Sequence, residues 1–197
     1  MIGKETIHKM GNKSQLTKEQ SMVFLEITDI KEIGEGMRVC IDFVDILNQS
    51  DGLYVGNTGH GYIKVLSENR ESDGYPPRPF RINCGSYHQY LHQNDQTMYL
   101  HEIEPGSKLI VTDEQSDRNI PVGRVKIEKR PFIRIECKNG YSITSATLQK
   151  STSVHLVEET KGETPILDLK LGDRIACIED TPGRHLGEKI TEEIIEK

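Results

Sequence analysis

The chain has 197 residues and a formal net charge of −6 at pH 7, with acidic and basic residues interspersed along its length. It has no basic stripe with interleaved aromatic residues and no apolar run of transmembrane length, so we expect neither nucleic acid nor a membrane as a partner. The N-terminus lacks a charged-then-apolar leader pattern, which predicts a cytoplasmic protein of one large or two small domains.

The first twenty residues differ in texture from the rest of the chain. Residues 1–20 are polar and lysine-rich with little periodicity, and they predict a flexible N-terminal arm. From Val23 the sequence becomes β-rich, and Val23–Ile30 predicts a first strand that ends at the turn glycines Gly34 and Gly36. We therefore expect residues 21–197 to form the folded β domain.

Several segments repeat along this β-rich region. A turn glycine, a basic residue two positions later and an apolar strand recur in Gly36–Asp42, Gly106–Asp113 and Gly172–Ile178. An Arg-Pro-Phe sequence followed by a strand opens both Arg78–Cys84 and Arg130–Cys137. These echoes predict an internal duplication, with repeats near residues 36–105 and 106–172.

Short β-patterned runs bounded by Gly, Pro, Asn and Asp predict the fold class. Their spacing is typical of small barrel or sandwich units, and Asn139-Gly140 predicts a hairpin turn. A helix is predicted only over Lys189–Lys197, where Ile190, Ile194 and Ile195 share one face. The expected fold is mainly β, with internally duplicated small barrel or sandwich units and a short C-terminal helix.

The segment Arg78–Tyr90 gathers candidate functional side chains around a short apolar strand. Arg78 and Arg81 are fixed cations suited to bidentate contacts with carboxylate or phosphate. Asn83 can donate and accept hydrogen bonds, and His88 can move a proton or bind a metal near neutral pH. The alternative is a surface strand with solvated charges and an ordinary histidine.

A second candidate group lies on the strand predicted at residues 122–131. Strict alternation places Arg124, Lys126, Glu128 and Arg130 on one strand face. This row is either a solvated outer surface or a cationic wall for an anionic small-molecule substrate, with Glu128 as a candidate acid or base.

The remaining chemistry-bearing residues are a pair near the C-terminus and four dispersed cysteines. Arg184-His185 lies between Gly183 and Gly187, which favours a site loop over a packing role. The cysteines lie far apart, each in or beside an apolar segment, which predicts buried reduced thiols: Cys40, Cys84, Cys137 and Cys177. No GxSxG sequence is present, so a covalent hydrolase has no sequence support.

The combination of these landmarks resembles the C-terminal part of the 3-dehydroquinate synthase II family. The matching landmarks run in family order from about Val23 to the last residue: Arg38-Val39-Cys40, Gly52–Gly56, Arg78–Asn83 with Gly85 and His88, Val122–Glu128 with Arg130-Pro131, Leu148-Gln149, Leu169–Asp173, and Gly183–His185 followed by Gly187.

The resemblance implies an enzyme of aromatic precursor biosynthesis. Members of the family cyclise a seven-carbon amino-keto sugar acid to 3-dehydroquinate with NAD. A related branch closes a phosphorylated C7 chain to 3-amino-4-hydroxybenzoate with a metal. The implied activity is therefore a lyase-type cyclase, with NAD or a divalent metal such as Mn²⁺ or Mg²⁺ as cofactor. No glycine-rich βαβ fingerprint supports NAD binding in this sequence.

The resemblance also implies which residues line the site. Arginines and Lys126 would hold carboxylate or phosphate, whereas His88, His185 or Glu128 would move protons. Lys126 is also a candidate catalytic residue, together with His88, Glu128 and His185. His88 and His185 are the candidate metal ligands. The implied lining residues are Arg81, Asn83, His88, Arg124, Lys126, Glu128, Arg184 and His185.

The sequence departs from the family in ways that support an alternative function. Members carry a long N-terminal region, whereas a short polar arm precedes Val23 here, and the family's Asn-Ala-Glu run is replaced by Lys150-Ser151-Thr152. The alternative is a non-catalytic or partner-dependent subunit that completes a split enzyme together with a separately encoded N-terminal subunit. Exposed sheet edges make a homo-oligomer the default expectation.

Overall fold

The structure is a computed structural model and describes residues 21–197. They form one sheet of fourteen strands with antiparallel neighbours. The strands are β1 (Met22–Phe43), β2 (Gly52–Gly56), β3 (Gly61–Leu66), β4 (Arg81–Ser86), β5 (Tyr90–Gln93), β6 (Gln96–Tyr99), β7 (Lys108–Thr112), β8 (Asp117–Asn139), β9 (Ser142–Gln149), β10 (His155–Glu158), β11 (Gly162–Pro165), β12 (Arg174–Glu179), β13 (Arg184–His185) and β14 (Glu188–Lys189). Leu100–Glu102 and Ile166–Asp168 form short 3₁₀ turns. The predicted mainly β fold is confirmed, and the predicted arm over residues 1–20 lies outside the described residues.

Two long strands form the spine of the sheet. β1 has 22 residues and β8 has 23. They pair with each other from Glu26 opposite Lys138 to Phe43 opposite Val122. The predicted strand end at Gly34 and Gly36 is wrong, because β1 continues through both glycines. A register shift between Glu32 and Gly34 absorbs the irregularity, with Gly34 at a φ of +93°.

The first of two strand rings contains six strands. β1 pairs with β8, β8 with β7, β7 with β2, β2 with β3, β3 with β12, and β12 again with β1. Side chains from these strands, among them Val39, Val55 and Val65, are fully buried in the main hydrophobic core. Each such side chain stabilises the fold by roughly 1.5–3 kcal/mol through its removal from water. The predicted barrel is therefore present.

The second ring shares the two long strands with the first. β4 pairs with Arg38–Asp42 of β1, and β9 pairs with Phe132–Asn139 of β8. The buried side chain of Gln89 bridges the backbones of β4 and β9. A Cβ atom at Gly85 would lie 2.3 Å from the carbonyl oxygen of Thr147, so only glycine allows this close approach.

The landmarks of the predicted duplication occupy different positions in the sheet. Gly106 and Gly172 have φ angles of +94° and +89° and lie just before β7 and β12, whereas Gly36 lies inside β1. The first Arg-Pro-Phe sequence precedes β4, and the second lies within β8. The duplication over residues 36–105 and 106–172 stays a prediction.

Two local predictions have opposite outcomes. The Asn139-Gly140 turn is confirmed, since Asn139 pairs with Ser142 across the β8–β9 hairpin and Gly140 has a φ of +59°. The predicted helix over Lys189–Lys197 is wrong, because β14 ends at Lys189 and residues 190–197 have no regular secondary structure. A nine-residue segment is shorter than the ~12–15 residues at which isolated helices become marginally stable. In residues 21–197, no helix has the length and apolar character needed to cross a lipid bilayer.

Candidate functional site

One face of the β1–β8 pair carries polar side chains that alternate with core residues. On β1, Val39 and Ile41 belong to the hydrophobic core, whereas Arg38, Cys40 and Asp42 lie on the opposite face. All three are at least nine-tenths buried. The polar face of β1 is therefore covered by neighbouring groups instead of being left to solvent.

The strands on either side of β1 supply those neighbours. Glu128, Lys126 and Arg124 of β8 lie opposite Arg38, Cys40 and Asp42 in the register, and β4 places Arg81 opposite Asp42 and Asn83 opposite Cys40. We call this surface the cationic face. Its members are Arg38, Cys40, Asp42, Glu68, Arg78, Arg81, Asn83, Arg124, Lys126, Glu128, Arg130 and Gln149.

Asp42 holds two arginines at one end of the cationic face. Its carboxylate accepts two hydrogen bonds from Arg81, from Nε at 2.7 Å and from Nη2 at 3.0 Å, and a third from Nε of Arg124 at 2.7 Å. Burial opposes ionisation of Asp42, but these hydrogen bonds outweigh it and lower the pKa of the carboxyl. Arg81 is consequently fixed by a buried bidentate pair, while the Arg124 side chain keeps 61 % of its surface exposed.

Glu128 holds three cations at the other end of the cationic face. It forms ion pairs with Arg38, with Nζ of Lys126 at 3.2 Å and with Nη2 of Arg130 at 3.2 Å. Burial works against its charged form, yet Lys126, Arg38 and Arg130 together lower the pKa of Glu128. An ionised, ion-paired Glu128 is a weak base, so this geometry favours positioning of cations over proton transfer.

The charges on the cationic face do not balance. Six cations are set against three carboxylates, the third being the buried Glu68, which pairs with Arg78 at 3.0 Å. Most of the excess positive charge lies on residues 122–131 of β8, a stretch between the segments paired with β7 and β9. Lys126 and Arg130 keep 44 % and 39 % of their side-chain surface exposed there. Exposed cations beside a buried polar floor suit an anionic ligand.

Arg38 and Asn83, two buried residues of the cationic face, each have a hydrogen-bonding atom without a partner among the described residues. The Oε1 atom of Gln149 accepts from Nη1 of Arg38 at 3.2 Å and from Nδ2 of Asn83 at 2.8 Å. Nε of Arg38 and Oδ1 of Asn83 have no partner among the described residues, although both side chains are almost fully buried. Unsatisfied buried polar atoms are uncommon and costly, so each of these two atoms is available for one further hydrogen bond.

Cys40 lies between Lys126 and Asn83 on the cationic face but is not a nucleophile. Burial raises the pKa of its thiol to about 12, and the nearby cations Arg38 and Arg81 offset only part of this effect. The thiol therefore stays protonated at neutral pH. All four cysteines are free and buried, which confirms the predicted reduced thiols.

His88 belongs to a neighbouring hydrogen-bonded chain of polar groups. Its Nδ1 lies 3.0 Å from Oγ of Ser86, and its Nε2 lies 3.1 Å from Oδ1 of Asn57, whose amide nitrogen donates to Ser145. Burial, and then the charge of Arg134, lower the pKa of His88. Because an amide oxygen only accepts, the neutral ring must donate from Nε2 and accept at Nδ1.

Arg184 and His185 lie in a separate polar cluster. Arg184 forms an ion pair with the fully buried carboxylate of Asp180 and donates to the hydroxyl of Tyr62 at 3.4 Å. Lys189 also pairs with Asp180, at 2.5 Å. His185 follows on the same short strand and is exposed. In the described contacts this cluster shares no residue with the cationic face.

The structure thus groups some of the predicted site residues and separates others. Arg78, Arg81, Asn83, Arg124, Lys126, Glu128 and Arg130 belong to one face, whereas His88, Arg184 and His185 lie elsewhere. Sequence reasoning did not assign site roles to Arg38, Asp42, Glu68 or Gln149. The alternation Arg38, Cys40, Asp42 against Val39, Ile41 on β1 is the signal that could have found two of them.

Three observations on the described residues concern the predicted cofactors. Among residues 21–197, no group of three or more His, Cys, Asp or Glu side chains is arranged to hold a metal ion. His88 does not fit a metal ligand as it stands, because both ring nitrogens are engaged in hydrogen bonds. The same residues contain no α-helix whose N-terminus could bind a dinucleotide pyrophosphate. The metal pair His88 and His185, and NAD, stay predictions.

Comparisons with known proteins identify similar sequences. The family profile described as the 3-dehydroquinate synthase II C-terminal domain matches residues 24–197. The chain is 40 % identical over 172 residues to a 3-dehydroquinate synthase of Methanocella arvoryzae, covering 87 % of this chain and 46 % of that protein. It is 37 % identical over 188 residues to a 3-dehydroquinate synthase of Methanosarcina mazei, covering 94 % of this chain and 48 % of that protein.

A bacterial relative is similar over almost the whole chain. The 3-dehydroquinate synthase homolog of Aquifex aeolicus is 34 % identical over 194 residues, covering 97 % of this chain and 59 % of the relative. The chain therefore spans about half the length of the curated relatives it matches. No solved structure matches this chain.

Proposed function

Because this chain belongs to the 3-dehydroquinate synthase II family through the C-terminal domain matched over residues 24–197, we propose that its cationic face binds the anionic substrate of a cyclase in aromatic precursor biosynthesis. The substrate is a seven-carbon amino-keto sugar acid, and the reaction is a lyase-type ring closure. Relatives named 3-dehydroquinate synthase support this assignment.

The observation that carries the proposal is the combination of exposed cations and unsatisfied buried atoms on one face. Arg124, Lys126 and Arg130 present charge to solvent while Asp42 and Glu128 hold them in place. Such preorganised cations bind a carboxylate or phosphate with little loss of side-chain freedom.

Two buried atoms without a partner among residues 21–197, Nε of Arg38 and Oδ1 of Asn83, allow the cationic face to recognise uncharged groups of the substrate as well as its negative charge. Nε of Arg38 is a hydrogen-bond donor and Oδ1 of Asn83 is an acceptor. A hydroxyl or amino substituent on the carbon chain can satisfy Oδ1 of Asn83, and a carbonyl oxygen can satisfy Nε of Arg38. This pair would select a polyhydroxylated keto acid over a simple carboxylate.

Three titratable groups of the cationic face, Asp42, Glu128 and Cys40, are poorly suited to proton transfer. Ion pairing lowers the pKa of both Asp42 and Glu128, and burial raises that of Cys40 to about 12. None of these three groups changes its protonation state easily near pH 7. This observation favours a second candidate function, in which the domain binds substrate and the other half of the family's length supplies the catalytic groups.

The binding role is tested by calorimetric titration with 3-dehydroquinate as the probe. We expect Lys126→Gln and Arg124→Gln each to raise the Kd about tenfold, the loss typical of one charge-assisted contact. Lys129→Gln is the matched control. It neutralises an exposed lysine on the same strand that pairs with Glu35 at 3.0 Å on the other face. Equal affinities for all four proteins would refute the proposed binding face.

The catalytic role is tested by turnover of the seven-carbon acid, with and without the N-terminal half of the Methanocella arvoryzae relative. Turnover by this chain alone supports a complete cyclase and refutes the second candidate. Turnover only in the presence of the added half supports the partner-dependent function. Absence of turnover in both mixtures, together with absence of probe binding, overturns both candidates.

The cofactor is tested separately by thermal unfolding with Mn²⁺, Mg²⁺ or NAD. A ligand that binds the folded state raises Tm according to its affinity. A rise with metal that disappears in both His88→Ala and His185→Ala supports the metal pair. A rise with NAD alone supports the NAD-linked reaction.

A further inference from the structure

The C-terminal residues return across the sheet and place one carboxylate against a glycine-rich loop. The loop is residues 56–61, and Oε2 of Glu196 accepts a hydrogen bond from the backbone N–H of Gly59 at 2.7 Å. Oε1 of Glu196 accepts from the hydroxyl of Tyr90 at 3.2 Å. The carboxylate is thus bound by neutral donors, one from the loop and one from β5.

Gly59 is required for this arrangement. A Cβ atom at this position would lie 2.9 Å from Cα of Pro182 and 3.3 Å from Oε2 of Glu196. Any larger residue would push the C-terminal segment away from the loop. The sequence therefore preserves a backbone donor that an anionic group can approach closely.

A buried guanidinium with unused donors lies in the same region. The Arg184 side chain keeps only 6 % of its surface exposed, and its Nη2 atom makes the contacts with Asp180 and Tyr62. Its Nε and Nη1 atoms have no partner among the described residues. Leaving a buried charged donor unpaired is costly, so an acceptor is expected there when the site is filled.

Tyr62 accepts a hydrogen bond from the guanidinium and lies near enough to the Glu196 carboxylate to feel its charge. Burial raises the pKa of Tyr62 to about 12, while the nearby charges of Arg184 and Glu196 act on it in opposite directions. Gly59 also lies close to both Glu196 and Pro182. Pro182 is two residues before Arg184 in the chain. Gly59, Tyr90 and Arg184 therefore lie in one region of the structure.

We propose that these three donors form a binding site for the carboxylate or phosphate group of a small molecule. The Glu196 carboxylate accepts the hydrogen bonds of Gly59 and Tyr90 that the ligand's anionic group would accept. An incoming anion displaces Glu196 and also engages the free N–H groups of Arg184. The site shares no residue with the cationic face, and its existence does not depend on the proposed cyclase function.

The test is an NMR titration that follows the Gly59 amide resonance, which reports this site and not the cationic face. Inorganic phosphate and acetate are the two probes, and their separate titrations distinguish a phosphate site from a carboxylate site. We expect Glu196→Gln to shift the half-saturation point of at least one probe about tenfold lower than in the wild-type protein, because the competing charge is gone.

Two further variants make the result specific. Glu193→Gln removes an exposed acid from the same segment and should leave the titration unchanged. Arg184→Lys combined with Glu196→Gln keeps a positive charge beside Asp180 but removes the planar donor group, and should abolish the saturable shift. The proposal is overturned if Gly59 responds to neither probe in any variant. It is overturned equally if Glu196→Gln titrates like the wild-type protein.

Discussion

The side-chain amide of Gln89 makes with the backbone of Thr147 the pair of hydrogen bonds that a neighbouring strand would make. Its Oε1 accepts from the N–H of Thr147 at 2.7 Å, and its Nε2 donates to the carbonyl oxygen of Thr147 at 3.0 Å. The same Nε2 also donates to the carbonyl oxygen of Cys84 at 3.0 Å. One fully buried side chain therefore joins β4 to β9 and closes the second ring.

We expect Gln89→Met to destabilise the fold by at least about 2 kcal/mol. Methionine has a similar volume but leaves buried backbone groups of Thr147 and Cys84 unsatisfied, each at a cost of ~1–3 kcal/mol. The measurement is the free energy of unfolding from urea denaturation. Gln93→Met is the matched control.

Gln93 makes the equivalent contacts with Ile110, accepting at 2.6 Å and donating at 3.1 Å, but it is only half-buried. Water can replace the lost amide there, so Gln93→Met should cost about 1 kcal/mol or less. Equal losses in the two variants would contradict the role assigned to burial.

The lowered pKa of Asp42 predicts that the protein loses stability as the pH falls into the acidic range. Ion pairing lowers its folded-state pKa, so its stabilising effect is present above the unfolded-state pKa of ~3.9 and is lost as the pH falls through the lower folded-state value. Asp42→Asn should cost ~3–5 kcal/mol at pH 7, because it leaves the buried Arg81 without its counter-charge. The difference between wild type and variant should shrink below about pH 4 in acid unfolding curves. A difference that is constant from pH 7 to pH 2 would contradict this ion pair.

The two hydrogen bonds of His88 predict that its ring carries the proton on Nε2. With its pKa lowered by burial and by Arg134, the ring is neutral at pH 7, and the acceptor Asn57 Oδ1 requires the proton on Nε2. Long-range ¹H–¹⁵N NMR spectra should therefore show the Nε2–H form. Asn57→Ala removes the acceptor and should yield a mixture of tautomers. A Nδ1–H form in the wild-type protein would refute the hydrogen-bonded chain.

The cysteines predict resistance to thiol reagents in the folded state. With the pKa of Cys40 raised to about 12 by burial, its thiolate fraction at pH 8 is on the order of 10⁻⁴. The pKa values of Cys84 and Cys177 are also raised well above the ordinary range by burial. We expect no reaction of these thiols with iodoacetamide in native buffer at pH 8 and complete reaction in denaturant. Rapid labelling of Cys40 in native protein would contradict its position beneath the cationic face.

The mainly β architecture was predictable because local alternation and turn residues are visible in the sequence. The Asn139-Gly140 hairpin is one such case, since its conformational preference lies within two residues. The length of β8 was not predictable in this way, because Pro131 normally ends a strand. In the structure Pro131 lies between the β8 segments paired with β7 and β9, where its missing N–H interrupts no second ladder.

The candidate site was predictable only where its residues share one strand. Alternation along β8 was sufficient to group Arg124, Lys126, Glu128 and Arg130. The pairing of Asp42 with Arg81 depends on the register between β1 and β4, which is set by long-range contacts and by a shift between Val39 and Cys40. The predicted C-terminal helix failed for a related reason, since contacts such as Glu196 with Gly59 hold that segment in another conformation.

The sharing of β1 and β8 by both strand rings has a consequence for how the protein can be divided. Each long strand contributes one portion to the first ring and another to the second, so a cut that isolates either ring must sever both strands. A gene fragment encoding only one of the predicted repeats would lack at least half of the strands of each ring. The slowest-exchanging amides of β1 and β8 should consequently exchange together, in a single unfolding event that opens both rings at once.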